Sequence, residues 1–492
     1  MAIQTQFSTD PNAIVTVNVS IIEAPTPNTY QRSGAFVVFG ATTMVQGDTE
    51  LLTQFSDLAT WLRPNIAIAT TAWAAGTTTC TTTLPLPGPP TVGDSFQLVL
   101  SGFTPAAYNG LHTVTVTAPS TFTFPLTTNP GSATIQGTAQ LMTSIELSQE
   151  ATTYFGQGNE VGVWILELGY QSSVTNQVGA LQTWLTNNPL TIYNFLCPRV
   201  WGTVSANLGT SAVPTALTNL LKAYQNPEAM EYFWLTVTPT TMNNLGPTFK
   251  DVVQLIEAPV LTDPTQVNLT SPNGEMTIAA MFYNAVVYRA SNTNRIAPMA
   301  FKYVYGVTNY PQKGNGPLLV SFKQANTNYI STGAEGGIAF TMIYEGVTLD
   351  GHDFFNWWYT IDWVQIQVNL DLSNAIINGS NNPLAPLYYN QDGINYLETV
   401  LMGTMQSAQT FGMVLGKIEM TQLDGPDLTA AIFGGTFAGK CDVNAVPFLN
   451  YTLANPGDYK IGEYDGLSTL FIPARGFIHI LVNIVASDLV SI

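Results

Sequence analysis

Two stretches near the ends of this chain alternate apolar and polar residues with a period of two. Val15, Val17, Val19 and Ile21 are separated by Thr16, Asn18 and Ser20, while Ile478, Ile480, Val482 and Ile484 alternate with His479, Leu481, Asn483 and Val485. That period is the signature of a strand with one buried face. Chain ends are ordinarily frayed and polar, so strands there must dock, either on this subunit's own sheet or on a neighbour's edge. Ala24-Pro25-Thr26-Pro27-Asn28 follows the first strand and reads as a stiff, extended linker.

Composition bears on which destination is met. Of 492 residues 46% are hydrophobic but only 9% are charged, against roughly 25% in ordinary soluble proteins. Thr, Asn, Gln, Ser and Gly must therefore cover the surface, which lowers the desolvation cost of burying large interfaces. An extracellular β-rich protein shares this look. The net charge of −18 argues against nucleic-acid binding, which needs clustered Lys and Arg. Seven of the 14 basic residues follow Arg295: Lys302, Lys313, Lys323, Lys417, Lys440, Lys460 and Arg475. Any electropositive contact face is expected there. The start lacks the basic and apolar regions of a signal peptide, no apolar run reaches membrane-helix length, and Cys80, Cys197 and Cys441 are too few and too scattered for a disulfide framework. A reducing cytoplasm is the expected place of synthesis, and the sequons at Asn18, Asn268, Asn378 and Asn450 are read as chance.

The middle of the chain alternates strands and helices. Gly34–Gly40 reads as a buried strand. Leu51, Phe55, Leu58 and Leu62 predict a helix over 48–62. From Trp73 to Met142 the chain is Thr/Gly/Pro-rich with Asp94 as its one acid, and short strand patterns between Gly93-Asp94, Asn109-Gly110 and Asn129-Pro130-Gly131 turns predict an all-β insertion, sandwich or barrel. Strands are then expected at 160–168, 191–196 and 232–237, helices around Val178–Leu185, at 215–225 and at 248–256, and further strands over 276–288. Later, Ile361, Val364, Val368, Leu372 and Ala375 fall at helical spacing with Gly379 as C-cap. A second helix carries Ile394, Leu397, Leu401, Met405 and Ala408 after an N-cap at Asn390 or Asp392. Asn381–Tyr389 is the proline-stiffened connector between them. The fold class expected is multidomain α+β with an α/β middle.

The residues suited to chemistry do not assemble into a catalytic pattern. His112, His352 and His479 are far apart, with no metal-ligand spacing. Asp350-Gly351-His352-Asp353 reads as a turn before a helix. Gln312–Pro317 lacks the ending of a phosphate-cradling loop, and Gly333–Gly337 reads as a tight turn. Cys197 reads as a core thiol. Asp424 and Asp427 read as turn residues, and Asp251 and Glu257 as solvated helix positions. Phe354, Phe355, Trp357, Trp358, Tyr359 and Trp363 could form a sugar platform, but such clusters are more often core or interface. An enzyme is not expected, nor a cofactor or metal.

The order of these elements resembles the contractile tail sheath proteins of bacteriophages and related injection systems. The resemblance runs from the N-terminal strand through Pro25-Thr26-Pro27, Gly34–Gly40, a variable β insertion and Ile192–Pro198. Asn294-Arg295-Ile296-Ala297-Pro298 then leads into a second domain with its two helices, the Pro386-Leu387-Tyr388-Tyr389 connector and closing strands. Where common sheath families carry arginines at the entry to the long helix, this chain has Trp357-Trp358-Tyr359, as in a divergent branch. The resemblance implies an arm at 1–24, a middle α/β domain at 25–72 and 143–295, an outward-facing insertion at 73–142, a C-terminal α+β assembly domain at 296–485 and an arm at 486–492. It implies hexameric rings stacked around a tail tube, with strands exchanged between subunits through Val15, Val17, Val19, Ile21, Ile478, Ile480, Val482 and Ile484. Its implied partners are the chain itself, a tail tube protein, and baseplate and neck or terminator proteins, with neither nucleic acid nor membrane insertion. Its implied place is the virion, after assembly in the host bacterial cytoplasm. Lys417 and Lys440 are candidates to face an acidic tube. The rival readings are another tail or baseplate component and, from a different class, a carbohydrate-binding adhesin.

Overall fold

The computed structural model describes residues 27–86, 91–202, 215–226, 229–246, 248–257, 276–291, 293–310, 316–332, 340–350, 354–415 and 442–477. The eight strand residues of the two arms, Lys417, Lys440, His352, His479 and the Asp424/Asp427 pair lie outside the described residues.

After a single helical turn, α1 (Pro27–Tyr30), the chain enters β1 (Gly34–Val38), the inner strand of a six-stranded sheet. All five β1 residues are buried, because both faces of the strand are covered. β2 (Thr49–Leu52) then pairs antiparallel with the strand that will follow the insertion. The helix expected over 48–62 is thus cut short, and only a 3₁₀ turn at Phe55–Asp57 and α2 (Leu58–Trp61) are helical. A sheet edge captures Thr49–Leu52, and the Asp57 carboxylate accepts the Thr53 N–H and hydroxyl at 2.9 and 2.8 Å, a local turn that competes with helix.

The all-β unit begins at Ile66, seven residues before the expected boundary. β3 (Ile66–Ala74), β4 (Thr77–Thr82), β5 (Ser95–Ser101), β6 (Gly110–Ala118), β7 (Thr121–Pro125) and β8 (Thr138–Leu141) close into a barrel in the order β3-β4-β7-β6-β5-β8. Val114 and Val116 point inward while Thr113, Thr115 and Thr117 point out. Closure removes the open edges that so Thr-rich a sheet would otherwise present.

α3 (Met142–Phe155) returns to the sheet, followed by β9 (Val163–Glu167), α4 (Val174–Asn187), β10 (Asn194–Leu196), α5 (Arg199–Gly202), α6 (Thr215–Tyr224), β11 (Tyr232–Val237) and β12 (Val252–Ile256). The sheet order is β12-β11-β10-β1-β9-β2, parallel throughout except for β2. Residues 248–256, expected as helix, therefore supply a strand, and Asp251 and Glu257 are buried at its ends rather than solvated. The opposite correction holds at α7 (Thr277–Val286), expected as strand. Every residue of this helix except Asn284 is buried, so it carries no amphipathic stripe to reveal a 3.6 period.

α8 (Gly316–Gln324) and the antiparallel pair β13 (Tyr329–Thr332) and β14 (Thr341–Tyr344) follow. Then come α9 (Phe355–Ser380), α10 (Gln391–Thr410), β15 (Asp442–Ala445), α11 (Phe448–Ala454), α12 (Pro456–Ile461) and β16 (Leu467–Leu470), with β15 and β16 antiparallel.

Alternation along the strands divides the sheet between two cores. Val37, Phe195, Phe233 and Leu235 meet α4 and α6 on one face. Phe36, Leu196, Trp234 and Leu255 meet α3 and α7 on the other, and this second core continues through Phe355, Trp363, Met405 and Val443. It is one core on both sides of residue 295. The boundary expected there between middle and C-terminal domains runs through packed interior.

Candidate assembly surfaces

The C-terminal half projects a helical hairpin whose root is locked into the sheet. α9 is 26 residues long, about 39 Å at 1.5 Å per residue. Its first half is interior, including Tyr359, Asp362 and Trp363. Asp362 accepts hydrogen bonds from the Tyr193 hydroxyl at 2.7 Å and the Tyr232 hydroxyl at 2.9 Å, and Gln31 donates to the Tyr359 carbonyl at 2.9 Å. Complete burial pushes the Asp362 carboxyl up to about 7, against the opposing pull of Lys250 and the two tyrosine donors. Lys250 donates to the Ala229 carbonyl at 2.8 Å and lies 5.0 Å above the Trp358 ring. The neighbouring Asp251 is pushed up to about 8 by burial. This cluster escapes a sequence reading except for one signal: Asp362 is a charged residue on the apolar stripe between Tyr359 and Trp363.

Beyond its root the hairpin is exposed. Ile376 and Ile377 face solvent, and the helix runs past Gly379 to an Asn381 C-cap, two residues beyond the expected stop. Gly379 has a different role. The connector folds back on it, with the Leu387 N–H donating to the Gly379 carbonyl at 3.1 Å, and a Cβ there would sit 2.5 Å from the Leu387 Cβ. Asn390 caps α10 as expected, accepting the Gly393 N–H at 2.9 Å. Thr404 of α10 donates to Asp371 of α9 at 2.6 Å, fixing the pair side by side.

A groove of about 550 Å³ runs between α9, α10, the connector and β16, lined by Leu372, Ile376, Leu397, Tyr388, Tyr464 and Leu467 among others. Tyr389 anchors its wall, donating to the Glu463 carbonyl at 2.8 Å and packing against Phe448, Tyr459 and Tyr464. Leu384 is 95% exposed, and Leu449, Leu453 and Ile461 on α11 and α12 add further apolar surface at the same end of the molecule. Exposed apolar surface around a groove is the kind of feature found at interaction sites. Beside it, β15 and β16 form a two-stranded ladder among the described residues, and strand edges carry backbone donors and acceptors that a further strand can pair with.

The residues considered for chemistry are placed elsewhere. His112 packs 4.1 Å from the Phe124 ring in the barrel, and burial lowers its pKa. Cys80 and Cys197 are buried thiols with raised pKa values, Cys80 to about 11. Asp350 accepts from Thr348 and from the Trp358 indole, as a turn residue should. Among the described residues no group of three or more His, Cys, Asp or Glu could hold a metal ion. Of the six aromatics, Phe354, Phe355, Tyr359 and Trp363 are core, and Trp357 lies under the Arg475 guanidinium at 4.1 Å. Lys302 is turned over the Tyr288 ring at 4.2 Å, and burial lowers its pKa to about 8. Among the described residues no helix is long and apolar enough to cross a membrane.

No family model matches the chain, and no curated protein does. Solved structures do. A chain of the anti-feeding prophage baseplate, 6-fold symmetrised, is 10% identical over 98% of this chain and 100% of its own, with a TM-score of 0.48. The anti-feeding prophage helical sheath in its contracted state is 10% identical over 95% and 98%, also with a TM-score of 0.48. A sheath tail protein from Listeria innocua is 10% identical over 79% and 90%, with a TM-score of 0.39. The chain is similar in fold to each of these.

Proposed function

We propose that this chain is the structural subunit of a contractile tail sheath, polymerising as stacked hexameric rings around a tail tube and shortening to drive that tube through a host envelope. It works by packing and repacking, not by bond chemistry, and belongs to the virion. The observation that carries the reading is the match between two parts of the chain. Strand patterns lie near both ends, and among the described residues the C-terminal part of the body has a two-stranded ladder beside an apolar groove. An arriving strand supplies backbone hydrogen bonds to the edge and alternate apolar side chains to the groove, and Val15, Val17, Val19 and Ile21 have that spacing. About five such bonds at roughly 1 kcal/mol each hold firmly when repeated over a lattice. Because one core spans residue 295, contraction moves each body as a unit, with the arms as tethers.

Negative-stain microscopy of the recombinant chain tests this. Tubes or stacked rings are expected, whereas discrete particles that bind glycans would replace the reading with an adhesin.

A further inference from the structure

A cavity of about 380 Å³ lies where the barrel meets the ends of β1 and β9. Val38 and Phe39 form part of its floor, Phe96 of β5 and Tyr170 close it in an edge-on ring contact at 5.7 Å, and Glu146 and Glu150, one turn apart on α3, form the inner wall. The crevice outside the carboxyl ends of parallel strands is where open α/β sheets hold ligands. Here the barrel covers it.

Three polar atoms on residues lining this cavity have no hydrogen-bond partner among the described residues: Glu150 Oε2, Thr143 Oγ1 and Tyr170 Oη. Glu150 is 1% exposed. Buried polar groups are ordinarily satisfied, so three around one space point to a guest. The charge balance says which kind. The Glu146 carboxylate accepts the Arg199 backbone N–H, while the Arg199 guanidinium pairs with Glu257 at 3.6 Å. The cation whose field reaches Glu146 and Glu150 is thus engaged by a third acid.

We infer that the cavity binds a small organic cation, a primary ammonium or guanidinium on a short aliphatic body. The head group donates to Glu150 and Glu146, with the Thr143 and Tyr170 hydroxyls as further acceptors, and the body lies along Phe39 and Phe96. Burial and the nearby Glu146 raise the Glu150 carboxyl well above the usual range, and a cationic guest, which favours the carboxylate, draws its proton off to solvent. The guest touches sheet and barrel together and fixes the barrel's seat. None of this depends on polymerisation.

Calorimetric titration of the full chain with 1,4-diaminobutane, agmatine and butylamine, in two buffers of different ionisation heat, reads both binding and proton release. Saturable binding of at least one amine with release of a proton is expected. Glu150→Gln should weaken it about tenfold or more, while the exposed Glu160→Gln binds like the parent. Should Glu150→Gln fail to fold, Tyr170→Phe and Thr143→Val take its place and must weaken binding. Absence of saturable heat with all three amines, or unchanged binding in the cavity variants, would overturn the inference and leave the cavity to water.

Discussion

At the scale of single residues, buried carboxyls set how stability depends on pH. Asp362 and Asp251 are raised by burial to about 7 and about 8, from an unfolded value near 3.9. The folded state therefore holds more protons than the unfolded state between those limits. Stability should fall as pH rises from about 4 to about 8, by at most about 1.4 kcal/mol per unit for each group, and then level off. Urea unfolding at pH 5, 6.5 and 8 checks this, and stability rising over that range would contradict it. Asp362→Asn should flatten part of the slope. Tyr193→Phe removes one of the two donors to Asp362 and should cost about 1–3 kcal/mol. Gly34 is a packing constraint of another kind. A Cβ there would sit 2.5 Å from Val286 Cγ2 and 2.9 Å from Phe282 Cζ, so Gly34→Ala should destabilise by about 1–3 kcal/mol through overpacking of β1 on α7, read as a lowered midpoint in the same assay. The glycine that bounds β1 is legible in sequence, but its reason, the helix lying across it, is not.

At the scale of elements, what was legible follows from periodicity. β11 and the barrel strands β5, β6 and β7 alternate or run apolar between clear turns, and α4, α6, α9 and α10 carry one-sided stripes, so each falls close to its expected place. β3, β4, α3, α8, α11 and α12 have no counterpart among the expected elements, and three further elements depart from theirs for one physical reason: a segment buried on all sides or captured by a sheet edge loses its period. α7 is apolar all round, β12 is a short apolar run flanked by buried acids, and β2 follows the edge of β9 rather than its own helical spacing. Two predictions belong here. The barrel enters and leaves at one point, since Ile66 pairs with Ala139, and it has its own core. Excising residues 66–140 with a short linker should leave the sheet folded by circular dichroism and polymerisation intact by microscopy. Ile376→Asp with Tyr388→Asp alters exposed residues at the groove. Folding stability should move by no more than about 0.5 kcal/mol per site, while sedimentation shows the polymer lost. A polymer that survives would remove the groove from the assembly surface.

At the scale of the whole molecule, a low-charge surface, one core spanning residue 295 and an apolar projecting end describe a rigid body with somewhere for a neighbour to attach. The α+β character and the barrel were legible from composition shifts and turn spacing. The continuity of the core was not, because the contacts that create it join α9 to β10 and β11, more than a hundred residues earlier in the chain. The two strands in need of an edge are an expectation on residues outside the described ones, and the groove beside β16 was not legible because it depends on tertiary packing of α9, α10 and the connector. The central claim is that the terminal strands link subunits rather than complete this subunit's own sheets. It is tested most directly by sedimentation, circular dichroism and negative-stain microscopy on chains lacking residues 1–22 or 478–492. The predicted result is a folded monomer that no longer polymerises. A truncated chain that unfolds, or one that still builds tubes, would contradict it.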